Sequence, residues 1–264
     1  MDWSAPRWVY SHAMSDFARY SRQIVLREVG VNGQQLLRDS SALLVGVGGL
    51  GAPAALYLAG AGLGRLTLTD KDRVEPSNLQ RQIIYRGSDV GRSKLDAAAD
   101  ALRALNAECA IEILPGPLDE TALLAAVRAA DIVLDCSDNF PTRVALNAAC
   151  VAARKPLVSG AAIRFEGQLA LFDTARGSAC YACLYPDTGE AQETCEEAGV
   201  LGPSVGVVGS LQALLAIKRL LGLGDDAGRL HLWDALRLSW RSLNIPRDPH
   251  CPVCGHPNPG NLHG

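Results

Sequence analysis

The stretch SALLVGVGGLGAPAALYLAGAGLGRLTLTD, residues 41–70, constrains the fold of this chain more than any other. It opens with an apolar run over residues 42–47, the length of a buried strand. Gly46, Gly48 and Gly51 then stand in G-x-G-x-x-G spacing, with Gly49 as an extra glycine. Small residues over 52–61 predict a helix, and residues 65–69 predict a second strand ending at Asp70. This is one βαβ unit. Its glycines let the turn close and let the backbone approach a phosphate, while the free N–H groups and dipole of the helix start favour an anion. Asp70 lies 24 positions after Gly46, near the spacing of a carboxylate that binds ribose hydroxyls. A glycine-rich turn without a ligand is the competing reading, and the strand–turn–helix–strand–Asp setting favours a nucleotide.

With 264 residues, the chain can bury a sizeable core, as one large α/β domain or two small ones. Its 25 basic and 28 acidic side chains leave a net charge of −3, which does not recommend a nucleic-acid surface. The first twenty residues hold no apolar stretch of signal-peptide length, so a cytoplasmic protein is expected. Residues 1–14 are predicted to be a loose extension ahead of a single domain over 15–264. The apolar stretch 204–221 is interrupted by Gln212, Lys218 and Arg219, and reads as a buried helix, not a membrane span.

Beyond the nucleotide unit, residues 17–37 predict two short helical pieces broken near Gly30–Gly33, with Arg19 and Arg22 on a solvated face. Pro76, Ser77 and Asn78 mark a loop after the second strand. Asn78, Arg81 and Gln82 therefore follow a strand end, where ligands lie in open parallel sheets. Residues 92–105 predict an amphipathic helix. Lys94 falls in its first turn, where a cation opposes the helix dipole unless an anion is near, so a phosphate partner and a surface lysine both remain open. A strand over 131–135 ends in DCSDN. Asp138 at its carboxyl edge could hold a magnesium ion facing a triphosphate, or cap the helix expected over 142–153. Further strands are expected over 111–114, 156–159 and 168–172, and an antiparallel pair over 230–233 and 239–244. The fold class is thus α/β: a Rossmann-like, twisted, mostly parallel sheet with helices on both faces and antiparallel strands at the C-terminal end.

The eight cysteines, without an export signal, point to reduced thiols or metal ligands. Cys180 and Cys183 form one C-x-x-C and Cys251 and Cys254 another, and together they complete a closed Cys₄ zinc site of structural type. Redox chemistry is disfavoured, because neither pair follows the first strand of a thioredoxin-like unit. Cys195 lies in an acidic, glycine-rich loop, either inert or an exposed nucleophile whose pKa the flanking glutamates would raise. Cys109, Cys136 and Cys150 read as core.

Taken together, RYSRQI, GVGGLG, SNLQRQ, the Lys94 region, DCSDN, TCEEAGV and the two C-x-x-C pairs resemble the ThiF/MoeB/HesA family of adenylyltransferases, relatives of ubiquitin-activating enzymes. The resemblance covers roughly residues 15–255 and implies a homodimer that binds MgATP. It implies adenylation of the C-terminal glycine carboxylate of a ubiquitin-like sulfur carrier. By this resemblance Gly46, Gly48, Gly49, Gly51 and Asp70 hold ATP, Asn78, Arg81 and Lys94 grip the phosphates, and Asp138 binds Mg²⁺. Arg22 reaches into the partner's site. APAALYLAGAGLG, CYACLYPD and CPVCG look closest to the thiazole branch with ThiS as carrier, SGAAIRFEGQ to the molybdopterin branch with MoaD. In the thiazole branch the cysteine matching Cys195 takes part in covalent sulfur transfer. Sulfur is expected from a separate protein, such as a cysteine desulfurase or a rhodanese. An NAD-dependent oxidoreductase is the alternative from another class.

Overall fold

The computed structural model describes residues 18–186 and 198–255. Its centre is an eight-stranded sheet in the order β3-β2-β1-β4-β5-β6-β7-β8. Strands β1 (Ser41–Val45), β2 (Arg65–Asp70), β3 (Ala110–Pro115), β4 (Ile132–Asp135) and β5 (Leu157–Ile163) run parallel. Strands β6 (Glu166–Phe172), β7 (Arg229–Asp234) and β8 (Ser239–Asn244) continue the sheet antiparallel. All five residues of β1 are buried, as a central parallel strand covered on both faces requires. The antiparallel part begins earlier than expected: β5 turns directly into β6 at Arg164–Phe165, where Arg164 takes a φ of 51°.

The helices are α1 (Ser21–Ile24), α2 (Gly30–Arg38), α3 (Gly51–Gly60), α4 (Lys94–Leu105), α5 (Glu120–Ala129), α6 (Phe140–Ala153), α7 (Tyr181–Leu184) and α8 (Gly202–Leu220). One core joins α3, α4 and α8 to one face of the sheet through residues such as Leu44, Leu58, Leu102 and Val208. A second core joins α5, α6 and α7 to the other face through Leu43, Val127, Leu146 and Tyr181. The alternation of Leu43 and Leu44 between the two follows from the two-residue period of a strand. The break in the N-terminal helical segment falls before Gly30, and Gly33 lies inside α2, packed against Val29 and Leu221. Helix α8 lies within the protein, and among the described residues no helix is long and apolar enough to cross a membrane.

Candidate functional site

The turn from β1 to α3 is built by exclusion of side chains. Gly46 has a φ of 89°, and a Cβ there would sit 2.8 Å from the carbonyl oxygen of Cys136. A Cβ on Gly51 would sit 1.9 Å from the Gly46 carbonyl oxygen, so the helix can start this close to the strand only with glycine. Gly49 packs against Val205 of α8, while Gly48 faces Gln82.

Asp70, at the carboxyl end of β2, clamps this turn. Its carboxylate accepts from the backbone N–H of Val47 at 2.7 Å and of Asp72 at 2.9 Å. Tyr85 fastens the other side, its hydroxyl donating to the Val47 carbonyl at 2.8 Å. Burial, reinforced by the charges of Asp70, Asp72 and Asp89, pushes the Tyr85 pKa up and keeps it a donor.

Lys94 is buried at the start of α4, and its Nζ lies 2.9 Å from Oδ2 of Asp72. The anion demanded by a cation in this turn is therefore present within the chain, as a carboxylate that is itself half-exposed. Asn78 is buried in the loop after β2 and accepts from the N–H of Glu75, while the Arg81 guanidinium donates to the Ser77 carbonyl at 3.0 Å. Asp138 is exposed at the carboxyl end of β4. The helix-capping role passes to its neighbour: Asn139 accepts from the Thr142 N–H at 3.0 Å. Among the described residues the Asp138 carboxylate accepts one long bond, 3.5 Å from Asn139 Nδ2, which leaves its oxygens available to a cation.

Arg22 is not brought to this site. It is exposed on α1, whose Gln23 donates to the Ala61 carbonyl at the far end of α3. A helix of ten residues separates that end from the glycine turn, about 15 Å of rise.

The segment after β4 links the turn to a large cleft: Gly46 packs against Cys136, and Asp138, two residues further on, lines the cleft. The cleft, about 1690 Å³, runs between α5 and α6 and the β5–β8 half of the sheet. Ala148, Ala152 and Ile163 contribute apolar wall, and Glu166, Arg237 and Arg241 contribute charge. Sequence reasoning did not find it, because its walls come from segments more than a hundred residues apart.

Away from this site, the four sulfurs of Cys180, Cys183, Cys251 and Cys254 lie within 4.8 Å of one another, with neighbouring pairs at 3.4, 3.6 and 3.9 Å. Tetrahedral zinc with bonds of about 2.3 Å sets its sulfurs about 3.8 Å apart, so the donors and their spacing fit one ion. Asn147 supports the cluster, donating to Cys180 Sγ at 3.6 Å and accepting from the Tyr181 N–H at 2.9 Å. Burial pushes the Cys251 thiol up, but hydrogen bonds from the N–H groups of Cys254 and Val253 and from the Cys180 and Cys183 thiols together bring its pKa below the ordinary value. Cys109, Cys136 and Cys150 are buried, and desolvation raises all three pKa values. Cys195 lies outside the described residues.

A family model described as the ThiF family matches residues 20–253. The E. coli sulfur carrier protein ThiS adenylyltransferase is 50% identical, with 92% of this chain and 97% of that protein aligned. The E. coli molybdopterin-synthase adenylyltransferase is 48% identical, with 91% and 97% aligned. The crystal structure of E. coli MccB with MccA-N7isoASN has a TM-score of 0.79 at 21% identity, covers 96% of this chain and 83% of that one, and shares the fold.

Proposed function

The chain belongs to the ThiF family, and from that premise we propose that it adenylates the C-terminal glycine carboxylate of a ThiS-type sulfur carrier, using ATP and Mg²⁺. The observation that carries the reading is that the segment after β4 touches the glycine turn at Cys136 and lines the cleft at Asp138. An extended peptide tail entering the cleft arrives beside a phosphate held by the turn. A carrier carboxylate oxygen then bonds to the α-phosphorus as the bond to pyrophosphate breaks. The carboxylate is already ionised, so no general base is required. The site's task is to neutralise charge building on phosphate oxygens. Lys94 and Arg81 serve this end, Asp138 holds the magnesium ion, and Asp70 takes the ribose while it clamps the turn.

Arg22 supports a homodimer by its placement: it cannot serve its own site, and Val25 and Leu26 beside it are 78% and 52% exposed. The Cys₄ cluster holds zinc in a closed, structural role, and Cys195 acts later in covalent sulfur transfer from a separate donor. An oxidoreductase needs no phosphate-gripping Arg81 and Lys94 in addition to the turn. ATP–pyrophosphate exchange with purified carriers tests the proposal. Exchange that requires an intact ThiS tail supports it, and faster exchange with MoaD moves the enzyme to the molybdopterin branch. No exchange with either sinks the carrier reading.

A further inference from the structure

Gln82 has no part in the roles assigned above, yet it is built into the face of the glycine turn. It is 4% exposed. Its backbone is tied at both ends, the N–H donating to Asn78 at 2.9 Å and the carbonyl accepting from Tyr85 at 3.1 Å. Its Nε2 lies 3.6 Å from the point where a side chain on Gly48 would begin. Its Oε1 is shut off from solvent and, among the described residues, accepts no hydrogen bond. The two other buried glutamines differ. Gln212 donates to the Asp135 carbonyl at 2.7 Å and accepts from Cys136, and Gln34 pairs with Gln23 and the Ala61 carbonyl.

A buried acceptor without a donor destabilises the protein that carries it, and native folds leave few such atoms. An apolar side chain of the same size would escape that cost. The retained carboxamide therefore calls for a partner that the protein itself does not supply. We propose that Gln82 is a nucleotide-binding residue: its carboxamide turns about its terminal bond and is completed by hydrogen bonds to the ATP held on the glycine turn. A carboxamide carries both a donor and an acceptor and no charge. It can meet phosphate oxygens with its N–H₂ and hydroxyl or amine donors with its oxygen, without repelling the phosphates as a carboxylate would. This inference rests on the nucleotide reading of the turn.

The test compares thermal unfolding and calorimetric MgATP titration of the full chain, wild type, Gln82→Leu and Gln82→Met. Without nucleotide, the variants are expected to melt at or above the wild-type temperature, because the orphaned acceptor is gone. With MgATP, the stabilising increment shrinks and the dissociation constant rises roughly tenfold. Wild-type ATP affinity in either folded variant overturns the proposal. So does a lower nucleotide-free melting temperature with an unchanged ATP increment, the signature of a packing role. A wild-type chain that ignores MgATP overturns the nucleotide reading and this inference together. If the wild type responds to MgATP, a failure in the variants' arm bears on Gln82 alone.

Discussion

Lys94 occupies the first turn of α4, where the dipole opposes its charge, and it is buried as well. Either condition alone argues against a lysine there. The sequence pattern showed the conflict and pointed to an anion, but Asp72 lies 22 positions away and its closeness depends on the loop between β2 and α4. Because Asp72 is half-exposed, removing the lysine leaves a carboxylate that water can solvate. Lys94→Ala is therefore expected to keep the fold by circular dichroism while ATP–pyrophosphate exchange falls roughly 10- to 150-fold, the worth of a charge-assisted contact. Unchanged exchange would remove Lys94 from the chemistry. Gly51→Ala tests the turn itself. Its Cβ would overlap the Gly46 carbonyl, so loss of soluble folded protein or a large drop in melting temperature is expected.

Among the elements, those with strong periodicity were legible in advance. Strand β2, helix α4 and the apolar helix α8 fall within a few residues of their expected spans. The N-terminal helices were less so, because Gly33 reads as a breaker in isolation but serves as a packing position against Leu221, a residue distant in sequence. The two C-x-x-C pairs were legible as half-sites from spacing alone. Their joining depends on α7, just after β6, and the segment following β8 arriving at one place. A metal there ties the segment after β8 to the second core. Chelation is expected to release about one zinc per chain and lower the melting temperature, since binding energy in a closed site is folding energy. Metal analysis that finds no zinc would count against the assignment.

At the scale of the whole molecule, the sheet divides labour between its parallel and antiparallel halves. The parallel half carries the glycine turn, and the antiparallel half forms one wall of the cleft. Asp138 follows β4, inside the parallel half, and lines the cleft from there. Filling the cleft should thus separate two activities. Ala148 lines it from α6 and is exposed, so Ala148→Trp is expected to block carrier-dependent exchange while MgATP still raises the melting temperature. Equal loss of both would show that the cleft is not a separate binding surface.

By itself the sequence determined the βαβ unit, the α/β class, the cysteine pairs and the local groups after each strand. These rest on spacing over a few residues, which backbone periodicity and turn sterics convert directly into structure. Tertiary structure alone decided that Asp72 holds Lys94, that Asn139 and not Asp138 caps α6, that Gln82 lies against Gly48 with an orphaned oxygen, and that Arg22 sits away from its own glycine turn. Each of these is a contact or separation set by how the layers pack around the sheet, and no local spacing encodes the distance between segments that meet only when the core closes.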